Sequence, residues 1–191
     1  MTVSEIDRST RSTPFPDAPG RRKGYEKRAV DAFLEKARDA FEADEPGALR
    51  STEVRAASFP LVRGGYAIGP VDAALGRVED AFAARERDYA LSRLGARAWV
   101  AETRDTAQVV LDRLSRPRGA RFDRVGVLHY GYSVDEVDVV ADRIARYLAA
   151  GDPITAEQVR SVAFRLQRGG YRETQVDAVL DAVIEVMLAV G

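Results

Sequence analysis

The chain has 191 residues, of which 46% are hydrophobic and 31% charged, and its net charge is -1. That is enough apolar material for a substantial core, and too balanced a charge for binding a polyanion by bulk electrostatics, so no nucleic-acid partner is expected. There is no cysteine, which removes disulfides, thiolate metal sites and thiol nucleophiles together and fits a reducing compartment.

From the N-terminus, residues 1–20 are rich in Ser, Thr and Pro and read as a disordered arm. Met1, Thr2, Val3, Ser4, Glu5, Ile6, Asp7 and Arg8 mix acids and bases where a secretion signal needs an apolar stretch. A cytoplasmic protein is expected, with any membrane contact peripheral. The arm and its continuation carry Arg8, Arg11, Arg21, Arg22 and Lys23, a basic segment.

A repeat then governs the chain. Glycine-tyrosine, four residues, valine-aspartate occurs four times: Gly24 and Tyr25 with Val30 and Asp31; Gly65 and Tyr66 with Val71 and Asp72; Gly131 and Tyr132 with Val137 and Asp138; Gly170 and Tyr171 with Val176 and Asp177. A second order overlies the first. Phe59 and Phe164 lie seven residues before Tyr66 and Tyr171, whereas Phe15 and Phe122 lie ten before Tyr25 and Tyr132. Units one and three match, as do two and four, so the chain is a duplicated two-unit module. The predicted domains are a first module over 21–82, a connecting helix over 83–115 and a second module over 116–191.

Each Gly-Tyr is followed by apolar residues at helical spacing: Val30, Phe33, Leu34, Ala37 and Phe41 in unit one, and Val176, Val179, Leu180, Val183, Ile184 and Met187 in unit four. Ser133 with Glu136 and Thr155 with Gln158 have capping-box spacing, and Pro70 suits a first helical turn. Even units therefore read as a short helix, a glycine turn and a longer helix, with the paired glycines permitting the reversal and the tyrosine lying across the seam, hydroxyl at the edge. Residues 83–115 read as one helix that tolerates Gly95 at a cost of about 1 kcal/mol, stopped by the Arg116, Pro117, Arg118, Gly119 run. No strand alternation persists. The expected fold is all-α: tandem helical-hairpin repeats in two duplicated modules joined by a long helix. No apolar run reaches the ~20 residues of a membrane span; the most apolar stretch, 182–190, contains Glu185. The apolar final helix is expected either at the centre of the core or at a protein-protein surface.

Few residues suggest chemistry. His129 is the only histidine, and a metal site or a general base needs further ligands or a nucleophile with an orienting group; a loop residue between Leu128 and Tyr130 is the plainer reading. No catalytic, cofactor-binding or metal-binding residue is assigned. Asp31, Asp72, Asp138 and Asp177 fall in the first helical turn, where an acid is favoured by about 0.3–1 kcal/mol; their recurrence suits a framework role. Three residues before each tyrosine stand Arg22, Arg63, His129 and Arg168, either solvated turn residues and partners for those aspartates, or a set of cations at hairpin tips for lipid phosphates or a partner's acids.

These residues carry a resemblance. Phe, seven residues to Tyr, the Arg-Gly-Gly-Tyr turn, then Val-Asp-Ala and a leucine helix resemble the N-terminal DivIVA domain, most closely over 59–75 and 164–180. Over about residues 15–190 the chain is similar to actinobacterial proteins carrying several such repeats. The resemblance implies a structural or recruitment role in cell division or polar growth, at the septum or pole. It also implies helix-paired dimers and an exposed aromatic beside a basic residue at the turn, for curved membrane. Here Arg63 and Arg168 occupy the aromatic position, Tyr130 is the nearest substitute, and the polymerising coiled coil is missing. The expected function is a non-enzymatic adaptor or scaffold that binds a partner protein, as monomer or homodimer; the alternative is a peripheral binder of anionic membrane through its basic tips.

Overall fold

The computed structural model describes residues 14–43 and 47–190. Residues 1–13, which hold Arg8, Arg11 and most of the expected disordered arm, lie outside them. Compact packing divides the chain into two bodies, Met1–Phe82 and Ala83–Gly191. Both are predominantly helical.

In the first body, β1 (Lys23–Tyr25) leads into α1 (Lys27–Glu42), and the short α2 (Ser51–Arg55) is followed by β2 (Leu61–Arg63) and α3 (Ile68–Leu94), whose residues from Ala83 onward belong to the second body. In the second, α4 (Ala96–Leu114) precedes β3 (Tyr130–Tyr132), α5 (Val134–Ala150), α6 (Ala156–Arg160), β4 (Leu166–Arg168) and α7 (Glu173–Val190). The helices start as the residues suggest in most places. Thr155 and Gln158 form a reciprocal capping box on α6 (3.2 and 3.3 Å), and Pro70 sits in the first turn of α3. Ser133 is the N-cap of α5 but caps no amide with its side chain; Glu136 instead accepts from the Arg165 backbone N–H at 2.8 Å.

The Gly-Tyr segments depart from the expected helical hairpins. β1 pairs antiparallel with β2, and β3 with β4, in two separate two-stranded sheets. The even units are thus helix, strand and helix, not a hairpin of two helices. In each pair of glycines the two positions do different work. Gly64 (φ +71) and Gly169 (φ +63) turn the chain in the left-handed region. Gly65 and Gly170 are there for close approach: a Cβ on either would collide with the backbone carbonyl of Tyr25 or Tyr132. Gly24 and Gly131 face the carbonyls of Tyr66 and Tyr171 in the same way. Across each sheet the tyrosines bond reciprocally through their backbones, Tyr25 with Tyr66 (3.0 and 2.8 Å) and Tyr132 with Tyr171 (2.9 Å both ways). Residues 14–20, expected in the disordered arm, add to this lattice: the Ala18 amide donates to the Gly65 carbonyl and the Ala67 amide to the Pro16 carbonyl, both at 2.8 Å.

The connecting helix is two helices. Gly95 has φ +82 and caps α4, so the pattern over 83–115 breaks there instead of running through. Residues 83–94 extend α3, while α4 is part of the second bundle. Its Val110 and Leu114 share a core with Phe122, Val137, Ile144, Val159, Tyr171 and Val183, and Trp99 Nε1 donates to the Ala189 carbonyl at 3.4 Å. The apolar final helix is central to that core: Val176, Val183, Ile184, Val186 and Met187 are buried. The first body has two smaller clusters, one around Leu49, Val54 and Phe82, the other around Val30, Tyr66 and Val71.

Candidate functional site

The motif residues form a lock between partner units. Tyr66 of unit two donates its hydroxyl to Asp31 of unit one at 3.3 Å, and Tyr171 of unit four to Asp138 of unit three at 3.1 Å. The reverse pairs are also made: Tyr25 with Asp72, and Tyr132 with Asp177. The phenylalanines follow the same exchange. Phe15 stacks edge-on against Tyr66 (5.3 Å) and Phe59 against Tyr25 (5.4 Å); Phe122 meets Tyr171 (5.3 Å) and Phe164 meets Tyr132 (5.1 Å). Tyr66 and Tyr171 are 1% and 0% exposed, so their hydroxyls do not lie at an edge as expected; each is buried and satisfied by an aspartate. Burial raises the Tyr171 hydroxyl above its usual value, which keeps it a proton donor to Asp138. Each of the four aspartates thus meets a tyrosine of the neighbouring unit.

In the second module the lock is joined to a buried ionic network. Asp138 also accepts from the Gly119 amide at 2.7 Å, and Arg121, its side chain 7% exposed, donates to the Asp138 carbonyl at 2.8 Å and to the Arg116 carbonyl at 3.1 Å. Arg121 and Arg118 both pair with Asp142. The hydrogen bond from Arg121 holds the Asp142 carboxyl below the usual carboxylate range. Glu136 is lowered in the same sense, first by the Arg165 backbone N–H.

The loop end of each sheet is exposed. The turn 19–22 is closed by the Arg22 amide on the Pro19 carbonyl (3.2 Å), and the turn 126–129 by the His129 amide on the Gly126 carbonyl (2.8 Å). Each turn lies beside the end of the opposing strand. Lys23 and Arg63 are register partners at the first tip, Tyr130 and Arg168 at the second. Of the predicted tip residues, the structure therefore groups Arg22 with Arg63, and His129 and Tyr130 with Arg168, in two separate sites. Arg21, Arg22 and Lys23, expected to extend a basic arm, belong to the first turn and strand.

The second tip contains residues the motif did not point to. Val127 is 80% exposed, Leu128 79% and Tyr130 55%. Arg168 lies over the Tyr130 ring at 5.6 Å and its Nε donates to the Tyr130 hydroxyl at 3.4 Å. Val127 and Leu128 sit between Gly126 and His129, and two adjacent aliphatics in a turn were the available signal. His129 is exposed in that turn, and among the described residues no side chain hydrogen-bonds to it.

Among the described residues no group of three or more His, Asp or Glu side chains converges as metal ligands, and no helix is long and apolar enough to cross a membrane. No family model, curated protein or solved structure gives a significant match to the chain.

Proposed function

We propose that this chain is a non-enzymatic adaptor of the DivIVA-repeat type, acting in bacterial cell division or polar growth, whose second module docks on anionic membrane at the septum or pole. The observation that carries the membrane contact is the tip at 127–130. Three large apolar side chains stand in solvent at one turn, with Arg168 beside them. An exposed apolar tip of that kind gains by insertion at the headgroup boundary, where roughly 1.5–3 kcal/mol attends burial of each large side chain, and the flanking cation meets lipid phosphate. Tyr130 is suited to such a boundary, with an apolar ring and a polar end. The tandem helical repeats serve as scaffold, since each unit's tyrosine is satisfied only by its neighbour.

Flotation of the full chain with phosphatidylglycerol vesicles at low salt tests this reading. Wild type is expected to float, and Leu128→Ser with Tyr130→Ser to lose about tenfold or more in binding, the loss that 1.4 kcal/mol represents. Failure of wild type to bind where charge attraction is least screened ends the membrane reading. Because each lock closes within one chain, a monomer of 20.9 kDa is expected from light scattering. An obligate dimer contradicts a self-sufficient chain. The adaptor role is tested by affinity capture from the native cell under crosslinking, with a fluorescent fusion reporting septal or polar position. A diffuse fusion without captured partners counts against recruitment.

A further inference from the structure

The tip of the first module has the turn hydrogen bond and strand register of the second and the opposite chemistry. Counting back from Tyr25 and Tyr132, Arg21 stands where the second tip has Leu128, Arg22 where it has His129, and Lys23 where it has Tyr130. Arg63 occupies the position of Arg168. Arg21, Arg22, Lys23 and Arg63 are all exposed, and among the described residues none of them makes an ion pair or a side-chain hydrogen bond. The nearby Asp17 is held by Lys27 at 2.6 Å.

The register makes this cluster more than a solvated surface. Lys23 and Arg63 are direct cross-strand partners, and like charges opposite one another destabilise a strand pair. The second module shows a stabilising occupant of the same register, an arginine on a tyrosine ring. Placing lysine there removes the stacking contact and adds repulsion in a sheet only three residues long. A bound anion reverses that repulsion. The chemistry of the anion is narrowed by what the turn lacks: Pro19 and Gly20 precede the cations, with no aliphatic side chain at the positions of Val127 and Leu128 to anchor in acyl chains. Arginines prefer planar carboxylates or phosphates in paired hydrogen bonds, and four cations at one strand end match several acids in a short extended run.

We infer that the first tip is a docking site for an acidic peptide segment of a partner protein, a run of Asp and Glu held by Arg21, Arg22, Lys23 and Arg63. The inference names the partner chemistry of the proposed adaptor and is independent of the lipid contact at the second tip.

A fluorescently labelled glutamate decamer, titrated into the full chain and read by anisotropy, is the test. Binding is expected at low salt and should weaken about tenfold when salt is raised past the point where the screening length falls below about 8 Å. The combined variant Arg22→Gln, Lys23→Gln and Arg63→Gln should lose at least tenfold in affinity. Its melting temperature should hold or rise, because the cross-strand repulsion is gone. Leu128→Ser with Tyr130→Ser should bind the peptide as wild type does, which separates this site from the membrane contact. Absence of peptide binding at low salt, or equal binding by the neutralised variant, overturns the inference. So does vesicle binding that persists in Leu128→Ser with Tyr130→Ser and disappears on neutralising the first tip, since that identifies a lipid site.

Discussion

The two modules share their lock and differ in almost everything attached to it. In both, two Gly-Tyr segments approach so closely that only glycine fits, and each tyrosine is gripped by the phenylalanine and aspartate of the other unit. The partners of buried charge, by contrast, change. The first module buries Arg55 with Glu79 at 2.7 Å, their side chains 12% and 2% exposed. The residue thirteen after the even-unit tyrosine is Glu79 in the first module and Ile184 in the second; Arg160, the counterpart of Arg55, is 15% exposed and lies 3.8 Å from Glu157, and the second module adds a further buried guanidinium, Arg121 against Asp138 and Asp142. The tips diverge furthest, cationic in one and apolar in the other. Contacts between backbones leave no freedom to vary, whereas an ion pair can be replaced by apolar packing at little net cost, and a solvent-exposed turn has no packing to satisfy at all.

The largest effects should come from the shared part. Gly65→Ala and Gly170→Ala each force a Cβ into a carbonyl and should cost about 3 kcal/mol or more in their own module, read by thermal denaturation followed by circular dichroism. Tolerance at both positions breaks the idea of a lock common to the two modules. Glu79→Ala should cost about 3 kcal/mol, because it takes the carboxylate from a buried guanidinium; in the second module Ile184→Val should cost only about 1 kcal/mol, the loss of one methylene. Equal costs would mean that the buried carboxylate at this position does not distinguish the modules.

Tyrosine hydroxyls give a finer contrast. Tyr171→Phe should cost about 1–2 kcal/mol, since its acceptor Asp138 is 2% exposed and must lose a buried donor. Tyr66→Phe should cost about 0.5 kcal/mol, because Asp31 is exposed and water replaces the hydroxyl. The smallest effect is that of pH. Asp142 has a folded pKa below its ordinary value of about 3.9, so its stabilisation is complete above that value and is lost as pH falls through the lowered one. The difference in melting temperature between wild type and Asp142→Asn should therefore be constant from about pH 5 to 7 and shrink toward pH 3. A difference that grows in acid contradicts the assignment.

Much of this was legible in the sequence and some of it was not, for definite reasons. The four-fold Gly-Tyr, Val-Asp period and the apolar stripes of α1, α3, α5 and α7 are local patterns, and they mark the helices well. The sheets are invisible to the same reading: Lys-Gly-Tyr and Leu-Val-Arg are too short to alternate, and Lys23 meets a partner forty residues away at Arg63. The exchange of Tyr25 and Tyr66 between Asp72 and Asp31 is likewise non-local, so the recurrence of the aspartates in sequence does not reveal which tyrosine each one meets. Gly95 looked tolerable on propensity, yet its positive φ ends α3; composition alone does not distinguish a glycine inside a helix from one that breaks it. Ser133 and Glu136 had the right spacing for a capping box, but Arg165 offers Glu136 a better donor across the sheet. At the tips, the cations are evident in sequence as a set, while the exposure of Val127 and Leu128 depends on the folded turn and is visible only in the structure.

Exchanging the second tip for the first, by Leu128→Arg, His129→Arg and Tyr130→Lys in one chain, measures directly whether a common scaffold carries two different binding surfaces. The variant should remain folded by circular dichroism, lose flotation with phosphatidylglycerol vesicles at moderate salt, and gain affinity for the glutamate decamer. Undiminished flotation together with no gain in peptide binding would contradict it.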